Sequence, residues 1–247
     1  MKILAIAFVF NELPYLPKAI EYYRKQGCEL YVIDNMSKDG TWEWLQEQGI
    51  PSHRHDTQEA FQLAWLQEEM CKTIHRLKPD WFLWFAPDLF HVFAGQTISG
   101  AIAQAVKEGF TQIKSQCYSF KPTKEEAFGL PIYLHFRYAH TPSKVLLCSK
   151  YDSTLRFSAD TIVIQNPVIQ RKGSIFEYGS CKPVAVQEEK LKRRQKAWEL
   201  GTPKGHGTHY LVGKGKNWVY DKNSPDMYDV WGNPELKNLI KTHLCTI

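Results

Sequence analysis

The 247-residue sequence has no long hydrophobic run, no paired-cysteine motif and no surplus of acid. Its longest apolar stretch, Ile3 to Phe10, is eight residues and is closed by Asn11 and Glu12. A membrane helix needs about 20 apolar residues, so none is expected. No small-residue cleavage site follows the stretch, and Asn11-Glu12-Leu13-Pro14 reads as a strand end turning into a helix. The compartment this implies is the cytoplasm, with the periphery of a membrane surface as the alternative. The six cysteines (Cys28, Cys71, Cys117, Cys148, Cys181, Cys245) show no C-x-x-C spacing and no close Cys/His pairing. Buried, reduced thiols are expected rather than a disulfide frame or a zinc site. Fifteen Gly and 13 Pro are near average usage, which excludes collagenous and low-complexity chains.

What is present is apolar mass and a mild basic excess. The chain is 43% hydrophobic and 13% aromatic, enough to bury a core in one or two domains. Thirty-one Lys and Arg against 26 Asp and Glu give a net charge of +5, which excludes an acidic disordered tail without naming a polyanionic partner. With no linker, composition break or internal repeat, one domain is the simpler reading.

Strand and helix patterns alternate over the first 120 residues. Ile3–Phe10 is continuously apolar, as expected of a strand buried on both faces. From Pro14 to Gln26, Leu16, Ala19, Ile20 and Tyr23 recur at helical spacing before Gly27. Leu30–Ile33 reads as a strand, Thr41 to Gln48 as a helix, Gln58 to Leu77 as a longer helix and Trp81–Phe85 as a third strand. In the second half, Thr111–Phe120, Ile132–Tyr138, Lys144–Cys148 and Thr161–Ile164 read as strands. Val184–Leu200 reads as a basic helix and Pro234–His243 as a closing one. This order predicts an α/β fold whose mostly parallel sheet is flanked by helices, with a mixed C-terminal extension.

Ligands of such sheets sit beyond the carboxyl ends of the strands. Glu12, Asp34 and Asp88 each fall just after a strand, so three acidic side chains are expected to converge on one rim. The loop from Asp34 to Thr41 (Asp-Asn-Met-Ser-Lys-Asp-Gly-Thr) allows two readings. It is a turn whose side chains satisfy local backbone groups and cap the next helix, or a nucleoside pocket whose carboxylates accept hydrogen bonds from ribose hydroxyls or a base imide.

Asn11, Glu12, Pro14, Tyr15, Leu16, Ile20, Glu21, Tyr22 and Gly27, followed by Asp34, Asn35, Ser37, Asp39, Gly40 and Thr41, spell N-E-x-P-Y-L and D-N-x-S-x-D-G-T in order. Over residues 2 to 93 the chain thereby resembles family 2-type glycosyltransferases of the Rossmann-like GT-A fold. The resemblance implies a nucleotide-sugar donor, with residues 1–120 as the donor half and 121–247 as the acceptor side. Asp34 and Asp39 would contact the nucleoside, with Asn11, Glu12 and Asn35 lining the same pocket.

The family's Asp-x-Asp, which holds a divalent metal (Mn or Mg) on the donor diphosphate, stands here as Ala86-Pro87-Asp88. Asp88 is the surviving candidate ligand, and by the same resemblance His209 or His206 would be a further one. From the residues alone, two His among glycines at Gly205 to His209 suit a close approach to phosphate or metal. Lys204, Lys214 and Lys216 nearby can offset diphosphate charge.

Inverting transfer needs a base within reach of the acceptor hydroxyl. Asp152, Asp160 and Glu177 are the candidates. Glu177 is preferred because Ile175-Phe176-Glu177-Tyr178 is the kind of apolar setting that raises a carboxyl pKa, although a strand Glu paired with a nearby cation reads equally well.

Residues 182–216 carry nine Lys/Arg against three Glu, a local surplus of six. Either this is a solvated helix face or it meets a polyanion: nucleic acid, an anionic membrane or the donor diphosphate. Trp42, Trp44, Trp65, Trp81 and Trp84 fall at packing positions rather than as stacking platforms. The function expected is sugar transfer to a glycan or lipid-linked acceptor. The alternatives are a DNA glycosyltransferase acting on a hydroxymethylated base, which must then be flipped out, and a nucleotide-sugar-binding module without turnover. A nucleotidyltransferase is disfavoured because no glycine-rich basic loop follows the first strand.

Overall fold

The computed structural model of the chain describes residues 1–122, 138–140, 143–158, 161–200, 223, 225 and 227–244. In chain order the strands are β1 (Ile3–Val9), β2 (Glu29–Asp34), β3 (Ser52–Arg54), β4 (Trp81–Trp84), β5 (Leu89–Val92), β6 (Gln112–Ser119), β7 (Tyr138–His140), β8 (Ser143–Lys150), β9 (Arg156–Ser158), β10 (Thr161–Val163), β11 (Ile169–Glu177) and β12 (Met227–Asp229). The helices are α1 (Leu16–Lys25), α2 (Thr41–Glu47), α3 (Leu63–Leu77), α4 (Ile98–Lys107), α5 (Val184–Glu199) and α6 (Pro234–His243).

Successive side chains of a strand point to opposite faces, and β1 shows what that means for a run apolar throughout. Ile3, Ala5, Ala7 and Val9 pack in one cluster with Leu16, Ala19, Ile20 and Tyr23 of α1, Leu45 of α2, and Ile98, Ala101, Ile102 and Ala105 of α4. Leu4 and Ile6 pack on the other face with Met70 and Ile74 of α3. β2 divides the same way, Leu30 and Val32 joining the first cluster, Tyr31 and Ile33 the second. Both faces are therefore covered, which is why neither strand shows polar alternation.

Eight strands form one sheet in the order β3-β2-β1-β4-β8-β6-β11-β5. The run β3-β2-β1-β4 is parallel, as is β6-β11, while β4-β8, β8-β6 and β11-β5 are antiparallel, so four of seven ladders are parallel. This is the expected α/β, Rossmann-like architecture, with its mixed ladders contributed by the second half.

The helix expected from Gln58 begins only at Leu63. Gln58 and Glu59 have φ of 56° and 60°, and Ala60 N donates to Thr57 O at 3.0 Å, so residues 57–60 form a turn ahead of the helix. Of the expected strand Ile132–Tyr138, only Tyr138 lies within the described residues.

Gly173 sits where the β11–β6 register shifts between Arg171 and Ser174, at φ +88°. A Cβ there would lie 2.5 Å from Cε1 of buried Phe93. Gly173→Ala combines a left-handed backbone with overpacking and is expected to cost about 1–3 kcal/mol, read as a lower denaturant midpoint at unchanged slope. A midpoint equal to wild type would show that Phe93 yields freely.

Candidate functional site

β1 continues through α1 to β2 on one side, while β4 lies on its other side; the winding reverses between β1 and β4. Open α/β sheets bind ligands at this switch point. A cavity of about 720 Å³ occupies it, within the range of small-molecule sites. Phe8 to Glu12 from the end of β1, Asn35 from the end of β2, and Trp84 with Ala86 to Asp88 from the end of β4 line it. Glu177 at the end of β11, Phe61 with the first turn of α3, and one face of α5 complete the wall.

Two of the three rim carboxylates meet as expected, and a lysine lies between them. Lys182, which precedes α5, is fully buried, its Nζ 2.7 Å and 2.6 Å from the two Glu12 oxygens and 2.7 Å from Asp88 Oδ2. The same ammonium lies 4.6 Å from the Tyr15 ring centroid. Lys190 of α5, half-buried, brings a second ammonium to 3.6 Å from Asp88 Oδ2. Burial opposes ionisation of Asp88, but the two ammonium groups outweigh it and hold the carboxyl down at about 2. Burial likewise opposes charge on Lys182, and the two carboxylates overcome it and raise that ammonium above its ordinary range. For Lys190 desolvation prevails, aided by Lys182 beside it, and its pKa is lowered.

Asp34 takes a different course from the one its sequence position suggests. It is fully buried, accepts from Arg54 Nε at 3.0 Å and from Ser37 N at 3.1 Å, and does not line the cavity. Asp39 is also outside the lining. Its carboxylate accepts from Thr41 N and Oγ1, tying down the first turn of α2, and from Leu13 N at 3.1 Å. Of the two readings of the Asp34–Thr41 loop, both aspartates follow the local one: short acceptors beside unpaired backbone N–H groups satisfy those groups first.

Asn11 and Asn35 do reach the cavity, with their side chains also bracing the rim. Asn11, at φ 52°, accepts from Lys38 N at 2.8 Å, and Asn35 accepts from Thr57 Oγ1 at 2.8 Å. A short amide side chain tolerates the left-handed backbone that turns the chain off β1.

The basic helix turns most of its charge toward the protein body. Arg193 is buried, its guanidinium 3.5 Å from the Phe10 ring centroid, and it donates to Glu59 O at 3.1 Å. Lys190 and Arg194 are half-buried and line the cavity, while Lys192 is exposed. The described part of the basic segment is therefore neither a purely solvated face nor an open polyanion surface. Lys204, His206, His209, Lys214, Lys216 and Asp160 lie outside the described residues.

Asp88 does not fit the role of metal ligand. Residue 86 is an alanine, and the carboxylate that lies nearby, Glu12, shares the Lys182 ammonium with it. Among the described residues no group of three or more His, Cys, Asp or Glu is placed to hold a metal ion. Lys182 itself had no local signal in the sequence, since the partners that define it are 170 and 94 residues away. Glu177, one of the three candidate bases, lines the cavity beside Asp88: a Cβ on Gly179 would be 3.7 Å from its Oε1 and 3.5 Å from Asp88 Oδ2, so both carboxylates flank that glycine.

The five described cysteines are free, four of them buried, and burial pushes the Cys28 thiol up to about 12. No described helix is long and apolar enough to cross a membrane.

Neither a family profile nor a curated protein matches this sequence. Among solved structures, S. aureus TarS aligns at 14% identity over 87% of this chain and 46% of its own, with a TM-score of 0.47. The chain thus spans less than half the length of that protein. TarS 1-349 in complex with UDP-GlcNAc aligns at 13% identity over 87% of this chain and 77% of that one, with a TM-score of 0.41. HddC from Yersinia pseudotuberculosis, complexed with GMP-PN, aligns at 11% identity over 79% of this chain and 99% of that one, with a TM-score of 0.40.

Proposed function

We propose that this protein transfers a sugar from a nucleotide-activated donor to an acceptor hydroxyl, with inversion at the anomeric carbon. The observation that carries the reading is the 720 Å³ cavity at the β1–β4 switch point, where the carboxylate of Glu177, with those of Glu12, Asp88 and Glu189, shares a chamber with the cations Lys190 and Arg194. Such a chamber has the two things the reaction needs, a base for the incoming hydroxyl and positive charge for the departing nucleoside diphosphate. Asn11 and Asn35 serve the nucleoside end. Asp34 and Asp39 act behind them by fixing the loop.

In the chemical step the acceptor oxygen bonds to the anomeric carbon and its proton passes to Glu177. The bond from that carbon to the diphosphate oxygen breaks, and its electron pair leaves on the nucleoside diphosphate. A glycan or lipid-linked sugar is the acceptor class proposed, because Phe8, Phe61, Trp84 and Trp198 give the cavity a large apolar share. A duplex DNA acceptor is disfavoured by α5, which turns Lys190, Arg193 and Arg194 inward.

The test is nucleotide release by purified protein from UDP-, GDP- and CMP-sugars, UDP-GlcNAc included, with glycan, lipid-linked and hydroxymethylated-DNA acceptors. Release that one donor supports and one acceptor accelerates is the expected result. Binding of a donor without release under every condition would reduce the protein to a nucleotide-sugar-binding module.

A further inference from the structure

We infer that the acceptor is an uncharged amphiphile, a glycoside whose hydrocarbon tail lies along an aromatic track leading from Glu177 across the cavity floor. This narrows the acceptor class proposed above and rests on the transfer reading. Trp84 packs against the apolar cluster that holds Ile175, two residues before Glu177 and on the same face of β11. From Trp84 the rings continue: the Phe8 centroid lies 5.5 Å from that of Trp84, and the Phe61 centroid 6.1 Å from that of Phe8. All three are half-buried and line the cavity. The track ends between the first turn of α3, with Leu63 and Ala64, and the last turn of α5, with Trp198. Trp198 follows Lys190 by about 12 Å along the helix axis, so this end is well removed from the Asp88 ion cluster.

The chemistry of these side chains decides the occupant. Apart from the indole N–H groups, which only donate, the side chains of Phe8, Phe61, Leu63, Ala64, Trp84 and Trp198 carry no hydrogen-bonding atom. A nucleobase buried among them would leave the donors on its edge unpaired, a cost that hydrocarbon does not meet. The nucleoside therefore stays with Asn11 and Asn35, whose amides both donate and accept. Charge does not choose the acceptor either. Among the described residues that line the cavity, four carboxylates (Glu12, Asp88, Glu177, Glu189) face three cations, and buried Lys182 brings the two signs into balance. With no surplus of either sign to draw an ionic acceptor, burial of hydrocarbon is what remains to select one.

The test uses the whole protein. Methyl, hexyl, octyl and decyl glucosides, each below its critical micelle concentration, are titrated calorimetrically, with maltotetraose as a glycan that has no tail. Binding should tighten about three- to fourfold per added methylene, the effect of burying that group, and maltotetraose should bind no better than methyl glucoside. Ala64→Trp fills the end of the track from an exposed position on α3, so it should reduce octyl glucoside to the affinity of the methyl compound. Trp198→Ala should weaken octyl glucoside about 10-fold. Both variants are checked for a wild-type melting curve. UDP, GDP and CDP are titrated alone and into the octyl glucoside complex. Affinity that does not change with chain length, or octyl glucoside binding that neither variant moves, would overturn the inference. Displacement of octyl glucoside by a nucleoside diphosphate would overturn it too, by giving the track to the donor. The transfer reading survives all three results. If the chain-length series holds and no nucleoside diphosphate binds, the transfer reading falls and the track remains as a hydrocarbon-binding site.

Discussion

Lys182→Met is expected to lower the unfolding free energy by about 3–5 kcal/mol, the cost of stripping one partner from a buried ion cluster. The methionine side chain keeps most of the volume, so the loss is electrostatic rather than a cavity. Glu12 and Asp88 are left buried against each other, with only the more distant Lys190 ammonium, 3.6 Å from Asp88, to offset them. For a chain of this size the loss corresponds to a melting temperature lower by on the order of 10 °C.

The pH dependence carries the signature. In the wild type the Asp88 carboxyl is held near 2, so its contribution is complete above the unfolded value near 4 and is lost only as pH falls through about 2. The Lys182 ammonium is raised, so its contribution is complete below about 10.5 and is lost only in strong alkali. Wild-type stability from these two groups is therefore flat between pH 5 and pH 8. In Lys182→Met one uncompensated carboxyl takes up a proton on mild acidification, so the deficit should be largest at pH 8 and shrink by pH 5. Adding Glu12→Gln should recover part of the lost stability at pH 8. Thermal melts across this range measure both effects, and a deficit independent of pH with no recovery would sink the electrostatic account.

The ease with which parts of this fold are read from sequence follows from how local their causes are. β1 and β2 announce themselves because both faces of each are covered, leaving a continuous apolar run. α6 is bounded correctly at Pro234 because Asn233 caps it, accepting from Glu235 N and Leu236 N, both within three residues. β11 is different. Its partners β6 and β5 are far away in sequence, and its first half, with Gln170, Arg171, Lys172 and Gly173, reads as polar loop until those ladders form. β3 is three residues long, Ser-His-Arg, and owes its existence to pairing with β2 rather than to any pattern of its own. α4 buries Ala101 and Ala105 beside Ile98 and Ile102 in the same cluster as α1, and its first turn abuts the end of α1, where Ser99 Oγ is only 2.6 Å from where a Cβ of Gly27 would be.

The site divides along the same line. The rim was legible in part, since strand ends in parallel sheets point the same way: of the three acids expected there, Glu12 and Asp88 line the cavity, with Asn11 and Asn35 beside them, while Asp34 does not. The roles were less so. Asp34 and Asp39 have the residue types and spacing of ligand contacts, yet local N–H groups and Arg54 reach them first. Lys182 lay in plain view as one cation among nine in its segment, and only the fold decides that this one is buried between two carboxylates.

Glu177→Gln should lower kcat by about 10²–10⁴-fold, the usual contribution of a positioned general base, while donor affinity stays at the wild-type value. Glu177 ends β11, its backbone oxygen accepting from Phe120 N at 2.8 Å, and it lines the cavity on the same wall as Asp88. Of the two carboxylates that flank Gly179, Asp88 is held ionised by two ammonium groups and is already engaged with them, which makes it a poor proton acceptor. Glu177 is the one with capacity to accept a proton from a hydroxyl entering the cavity. The amide of Gln preserves shape and hydrogen bonding but accepts no proton at neutral pH, so binding and turnover separate. The acid limb of the pH profile of kcat/KM should vanish in the variant, because that limb reports protonation of the base in the free protein. Asp152→Asn provides the contrast. Asp152 is half-buried, accepts from Thr154 N at 2.7 Å and lies outside the cavity lining, so that variant should turn over at the wild-type rate. Wild-type turnover in Glu177→Gln would remove Glu177 from the chemistry and move the search for the base to the acceptor itself or to residues beyond the cavity wall.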